Sequence, residues 1–167
     1  MQGARGNGGE PGVIPLAVAE VFRTIEETPG TDYLLRLGYM EIYNEVVNDL
    51  LDPSSTDLRI REDKKLGVYV EGLKQEAVVS MDHVLGLVSA GEAHRHVGAT
   101  NFNERSSRSH TIFQLVIEAK TRVGNVAAKA QVRRSCLCLI DLAGSESSRV
   151  GSDPTRRKEG SYINKSL

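Results

Sequence analysis

Cysteine is scarce in this chain. Two occur in 167 residues, Cys136 and Cys138, both inside the apolar run Ser135–Ile140. Alternation along a strand would point both the same way, a poor arrangement for bonding to each other. The expectation is a pair of core thiols in a reducing compartment. With the four histidines they make no zinc spacing. No run is long and apolar enough to cross a bilayer. The glycine-rich start, residues 1–12, lacks the apolar stretch of a secretory leader, so a cytosolic or nuclear setting is expected. Neither sign of charge dominates, with 21 Lys and Arg against 22 Asp and Glu, and a basic face on a nearly neutral chain stays open. Also missing are G-x-x-x-x-G-K-[ST], the phosphate-cradling loop, and the guanine motif N-K-x-D.

What is present reads as one globular domain. Hydrophobic residues make up 40% and charged residues 26%, and the length suffices for a genuine core. Ile14, Ala17, Val18, Val21, Phe22 and Ile25 recur at helical spacing, with Pro15 in the first turn and Pro29-Gly30 as the stop. Residues 32–43 read as a strand, followed by a short apolar turn over 46–51 that Asp52-Pro53 ends. Leu58–Arg61 and Val68–Val70 suit a small hairpin. A second helix is expected from an N-cap at Ser80 to about Val97, with Val84, Leu85, Val88 and Ala93 as its apolar stripe. Thr111–Ala119 reads as a strand. Ser135–Ile140 reads as a central strand buried on both faces. Between them lies a basic run with no acid, Lys120–Arg134. Tyr39 and Tyr43 read as core or edge packing, and His83, His94 and His96 as structural or exposed. Strands and helices in this order suit an α/β sheet covered by helices.

Two segments could carry chemistry. One is Leu137–Glu146, an apolar strand that delivers Asp141 to its end, followed by Gly144. An Asp there can serve a magnesium ion, and a glycine amide can approach a terminal phosphate with no Cβ in the way. Taken alone, an apolar strand with D-x-x-G fits a capping Asp and a turn glycine better. The other is Asn103–His110, with three hydroxyls, an amide and a guanidinium in eight residues. That set suits magnesium, an attacking water and phosphate oxygens, and equally a helix cap and solvated loop. Together they allow more. Arg108 and Glu146 could form a bidentate pair that latches one segment against the other over a phosphate. His110 could pack under the first segment and is given no proton-transfer role.

The strings NERSSRSH, LIDLAGSE and KEGSYINKSL, in this order and at these separations, closely resemble the kinesin motor domain. The resemblance covers the whole chain, roughly the middle half of such a domain. Residues 12–15, 39–45 and 95–97 echo it. The phrasing of residues 91–98 and 157–167 is most similar to the centromere-protein-E-like kinesins, their plant members in particular.

The resemblance implies a partial P-loop NTPase fold, a mostly central sheet flanked by helices, without the P-loop strand and the C-terminal elements. It makes 103–110 switch I, 141–146 switch II, and about 159–167 the start of the relay helix, with Asn164 on its nucleotide side. By motif, Ser107 would meet magnesium and the γ-phosphate. Asp141 would serve the magnesium shell through a water, and Gly144 would give its amide to the γ-phosphate. Asn103 and Ser106 would arrange the phosphate end, with Arg108 and Glu146 as the closing ion pair. ATP and Mg2+ would be the cofactors and the microtubule the partner, faced by Arg149, Arg156, Arg157, Lys158 and Lys165. Homodimerisation would run through a coiled-coil stalk, the setting would be cytoplasmic and spindle- or cytoskeleton-associated, and neither nucleic acid nor membrane is expected as a partner. Ser147 and Ser152-Asp153 depart from common family residues. The larger departure is the missing phosphate loop. The 167 residues alone are therefore expected neither to hydrolyse ATP at motor rates nor to fold cooperatively. A naturally truncated, non-hydrolysing relative that binds microtubules or a partner motor is the alternative, and a small GTPase is remote.

Overall fold

The computed structural model describes residues 10–64, 67–97, 108–122, 132–144, 161, 162 and 165, with backbone alone at 96 and 97. The first helix, α1 (Val13–Glu26), starts beyond Gly12 and carries Pro15 in its first turn. There the missing N–H has no intrahelical acceptor to lose. Gly30 takes a positive φ of 86° and turns the chain into the long strand β1 (Thr31–Tyr43).

Asn44 and Glu45 both have positive φ, the two-residue turn whose twist matches a hairpin. The chain therefore doubles back as β2 (Val46–Asp49), paired antiparallel with Met40–Tyr43. The short apolar turn expected over 46–51 is thus a strand that ends at Asp49. The Asp49 carboxylate accepts the amides of Leu51, Asp52 and Lys74. The expected small hairpin is present as β3 (Ile60–Asp63) and β4 (Gly67–Val70). A three-residue strand that the residue pattern does not announce, β5 (Glu76–Val78), pairs with Leu35–Leu37. The second helix, α2 (Met81–Val97), begins where expected, with the His83 amide donating to Ser80 Oγ at 3.2 Å.

β6 (His110–Thr121) and β7 (Val132–Asp141) form a long antiparallel hairpin beside β1. The sheet runs β2-β1-β6-β7, with β5 also on β1, and every strand pairing among the described residues is antiparallel.

Register sets the core. Directly opposed residues share a face, so Leu35–Ile117, Leu37–Leu115–Leu137 and Tyr39–Phe113–Leu139 stack as rows across the strands. They pack under Ile14 and Val18 of α1 and Val84 and Val88 of α2. Tyr39 meets Phe113 edge to face, with ring centroids 6.5 Å apart, the favoured aromatic arrangement. The next row is polar: Glu41, Thr111 and Asp141 lie opposite one another.

Two expectations about β7 are corrected. It is the outermost strand of the described sheet and not a central one buried on both faces. Cys136 and Cys138 are exposed and not core thiols. For the first, no further strand pairs with β7 among the described residues; the second follows from the uneven cover of its two faces. Helices cover the face carrying Leu137 and Leu139, whereas the face carrying Cys136, Cys138 and Ile140 has no helix over it among the described residues. A third correction concerns the stripe of α2, where Ala93 is exposed and Glu92 and Arg95 turn inward instead.

Candidate functional site

An antiparallel hairpin brings together the residues before its first strand and those after its second. β6 and β7 are paired from Lys120–Val132 at one end to Thr111–Asp141 at the other. The described ends of the two segments, residues 108–110 and 141–144, therefore lie side by side at the open end of this hairpin, on strands about 4.8 Å apart.

A direct bond joins them. The Ala143 backbone N–H donates to His110 Nδ1 at 3.0 Å, in buried surroundings. A backbone amide can only donate, so Nδ1 acts as the acceptor and a neutral His110 carries its proton on Nε2. His110 thus ties the end of the first segment to the turn of the second, the packing role expected of it. With Ala143 buried and held, Leu142 and Gly144 on either side face outward. Asp141 and Arg108 are half-buried, reachable by a ligand yet partly shielded from water.

A second cluster lies directly behind. Arg95 of α2 directs Nε and Nη2 to Ser109 Oγ at 3.2 and 2.9 Å. It also faces Glu41 of β1 and Glu92 one turn earlier on α2, each at 3.4 Å. The Tyr39 hydroxyl donates to Glu92 Oε1. Burial first, and then the Glu92 carboxylate, push the Tyr39 phenol well above the usual tyrosine range, against weaker opposition from Arg95 and Thr111. Arg95 is 7% exposed, Glu41 1%, and Ser109 1%. Sequence reasoning met Glu41, Glu92 and Arg95 only inside stretches that carry the family resemblance, counted Ser109 among three hydroxyls, and gave none of the four a role of its own. The signal was available: Glu41 continues the inward alternation of Leu35, Leu37 and Tyr39, and Glu92 and Arg95 continue the helical spacing of Val84 and Val88.

Of the other expected site residues, Asn103, Ser106, Ser107 and Glu146 lie outside the described residues, and so does the Arg108–Glu146 latch. Arg149, Arg156, Arg157 and Lys158 also lie outside them. Ser161, Tyr162 and Lys165 are helical, in keeping with a helix over 159–167, while Asn164 is not described. Lys165 pairs with Glu45 in the β1–β2 turn at 2.8 Å, an exposed contact that adds little stability.

Among the described residues no cluster of three or more His, Cys, Asp or Glu could hold a metal by itself. Half-buried Asp141 and exposed Gly144 at a strand end suit a different arrangement. Magnesium keeps several waters and is commonly bound through one or two carboxylates plus phosphate oxygens. The residues present fit a magnesium nucleotide on those terms. No helix among them is long and apolar enough to cross a membrane.

Known proteins share this sequence and fold. The sequence pattern of the kinesin motor domain family matches residues 1–167. Kinesin-like protein KIN-7G of Oryza sativa subsp. japonica is 62% identical over 157 residues, covering 94% of this chain and 17% of that protein. The chloroplastic kinesin-like protein KIN-7K of Arabidopsis thaliana is 60% identical over 157 residues, covering 94% of this chain and 16% of its own length. Among solved structures, that of a fast kinesin, studied for its ATPase mechanism and interactions with microtubules, superposes with a TM-score of 0.83 at 37% identity. The superposition covers 98% of this chain and 46% of that one. The chain thus spans about a sixth of the length of these plant relatives.

Proposed function

The chain belongs to the kinesin motor domain family, and from that premise we propose that it supplies the two nucleotide-sensing segments of an ATP-hydrolysing microtubule motor. The observation that carries this reading is the His110–Ala143 hydrogen bond, which fastens the two segments together at the end of the sheet. Ser107 and Asp141 would hold magnesium, Asp141 through a water. Gly144 would donate its amide to the terminal phosphate. Asn103 and Ser106 would order the phosphate end, and Arg108 would close on Glu146. When bound, the magnesium nucleotide supplies the γ-phosphoryl group and the charge that neutralises it. The chain's own contribution is positioning and electrostatic complementarity.

Arg149, Arg156, Arg157, Lys158 and Lys165 would offer a positive surface to an acidic microtubule. Homodimerisation through a coiled-coil stalk and a microtubule- or spindle-associated address belong to the same proposal. The chloroplastic name of one relative keeps an organelle-associated address beside the cytoplasmic one. Within the family we assign the chain to the plant KIN-7 type for which its relatives are named. The centromere-protein-E-like assignment expected from residues 91–98 and 157–167 is not supported by these relatives, which are named KIN-7. We also propose that residues 1–167 by themselves turn over ATP far below motor rates, because they contain no G-x-x-x-x-G-K-[ST].

The test is a hybrid motor domain in which residues 1–167 replace the matching segment of the Arabidopsis relative. Microtubule-stimulated ATPase activity is expected, with Arg108→Ala lowering kcat by about 100-fold or more. A hybrid that binds microtubules without hydrolysing ATP would favour the non-hydrolysing alternative. One that does neither while keeping its fold overturns both readings.

A further inference from the structure

Glu41, Glu92, Arg95, Ser109, His110 and Ala143 form a continuous buried polar path from α2 and β1 to both candidate segments. On one side, Glu92 and Glu41 hold the guanidinium of Arg95, and Tyr39 holds Glu92 from behind. On the other side, Arg95 reaches Ser109 with two donors on one hydroxyl oxygen. The next residue, His110, accepts the Ala143 amide. Ser109 and His110 each lie under 5% exposed, while their neighbour Arg108 is half-buried at the surface of the candidate site.

We propose that Arg95 is a positioning residue for the nucleotide site, fixing through Ser109 where Arg108 stands relative to Asp141 and Gly144. The proposal rests on the functional reading above, and it concerns residues which that reading leaves without a role. A side chain two or three bonds from solvent cannot hold a loop to a fraction of an ångström unless its own neighbours are fixed. Here the anchors come from two elements, a helix and a strand, so the hydroxyl of Ser109 is located by both. Arg suits the task because its planar fork has fixed donor directions. A lysine would keep the charge near Glu41 and Glu92 but lose the geometry. The buried pairs need not add net stability, and their value here is geometric.

Two variants separate positioning from mere folding. Ser109→Ala removes the hydroxyl and leaves every charge in place. Arg95→Lys keeps the charge and removes the fork. In the hybrid motor domain each is expected to lower microtubule-stimulated kcat about tenfold or more, since small misplacement of a positioning group costs rate steeply. The KM for ATP should move less than about threefold, as expected where the loss falls in the transition state. The double variant should lose little more than either single one, because both break the same path. A folded Ser109→Ala hybrid with kcat within twofold of its parent, or losses that simply multiply in the double variant, overturns the proposal.

Hydrogen exchange on the same proteins supplies a readout that does not depend on hydrolysis. Amides of residues 108–111 and 141–144 should exchange faster in both variants, with the β1–β2 pairs unchanged. Should the parent hybrid prove inactive, the motor reading fails and the exchange pattern still decides the positioning claim: unchanged exchange at 108–111 sinks it.

Discussion

The two faces of the central sheet are built from similar residues and lie in opposite surroundings. On one, Leu35, Leu37, Tyr39, Phe113 and Leu115 are buried under α1 and α2. On the other, which no helix covers among the described residues, Met40 and Val116 are buried, Ile112 is half-buried and Ile140 is 54% exposed. Met40, Ile42, Ile112, Val116 and Cys136 there line an open groove of about 650 Å3, which the β3–β4 hairpin flanks. Both faces alternate apolar residues at strand spacing. Burial is therefore decided by what lies above a strand as much as by its own sequence. The covered face also ends in a polar row and a buried charge cluster, and that is the end where the candidate site lies. Apolar rows hold the sheet, and the polar row fixes the segments that leave it.

The widest gap between the faces should appear in truncation. Phe113→Ala on the covered face is expected to cost about 3–5 kcal/mol. Ile140→Ala on the open face should cost about 0.5 kcal/mol or less, as for an exposed site. Opening free energies of the β1–β6 amides, read residue by residue by hydrogen exchange so that no cooperative transition is assumed, would measure both. Equal costs would break the contrast.

Two glycines of α2 sharpen the same contrast on the helix that does the covering. A Cβ at Gly91 would lie 2.8 Å from Tyr39 Cδ1 and 3.2 Å from the Leu50 carbonyl oxygen, whereas one at Gly86 meets nothing within 4 Å. Gly91→Ala should therefore destabilise by about 1–3 kcal/mol, because backbone and a buried ring must move. Gly86→Ala should stabilise by up to about 1 kcal/mol through helix propensity. Urea titrations of the two variants in the hybrid motor domain should shift in opposite directions.

Alkali should act on the covered face through Tyr39. Its phenol titrates above the ordinary range in the folded chain, for reasons of burial and the neighbouring Glu92. A group with a raised folded value contributes stability that is whole below its unfolded pKa, about 10 for tyrosine, and is lost as pH rises toward the folded value. Stability should thus fall above about pH 10, and part of that fall should vanish in Tyr39→Phe. In a spectrophotometric titration of the five tyrosines, one should ionise after the rest. If Tyr39→Phe leaves both curves unchanged, the phenol is not held as the structure shows.

Much of this arrangement was legible in the residues. Helical spacing from Ile14 to Ile25, alternation through residues 32–43 and the Ser80 cap each marked an element by a local pattern. The two candidate segments were legible too, because hydroxyls, an arginine and an Asp-x-x-Gly beside apolar strands announce ligand chemistry. What misled was any property set by distant neighbours. Ser135–Ile140 has the composition of a doubly buried strand, yet nothing local says which side a helix will cover. Val46–Asp49 is too short for its period to distinguish strand from turn. Glu41, Glu92 and Arg95 were given no role because only the apolar positions of each periodic pattern were read as inward-facing, even where these three continued it. Their burial becomes reasonable only when β1, α2 and Ser109 are seen to meet.

The smallest expected effect is chemical, and it probes the open face directly. Cys136 and Cys138 are two apart on one strand, exposed and unbonded, and their side chains point the same way without the approach a disulfide needs. Both should react with a maleimide in the 167-residue chain under conditions where its β1–β6 amides are protected from exchange. Partial burial first, and the neighbouring Cys136 second, raise the Cys138 thiol above its ordinary value. The thiolate is the reactive form, so Cys138 labelling should be slow near neutral pH and accelerate as pH rises. In the hybrid motor domain the same measurement asks whether further sequence covers this face. Protection there, with free labelling in the shorter chain, would assign the open groove to packing within a larger motor domain. Equal labelling in both would leave it as true surface, and resistance of both thiols in the shorter chain would mean that the two faces are not as different as the sheet shows them.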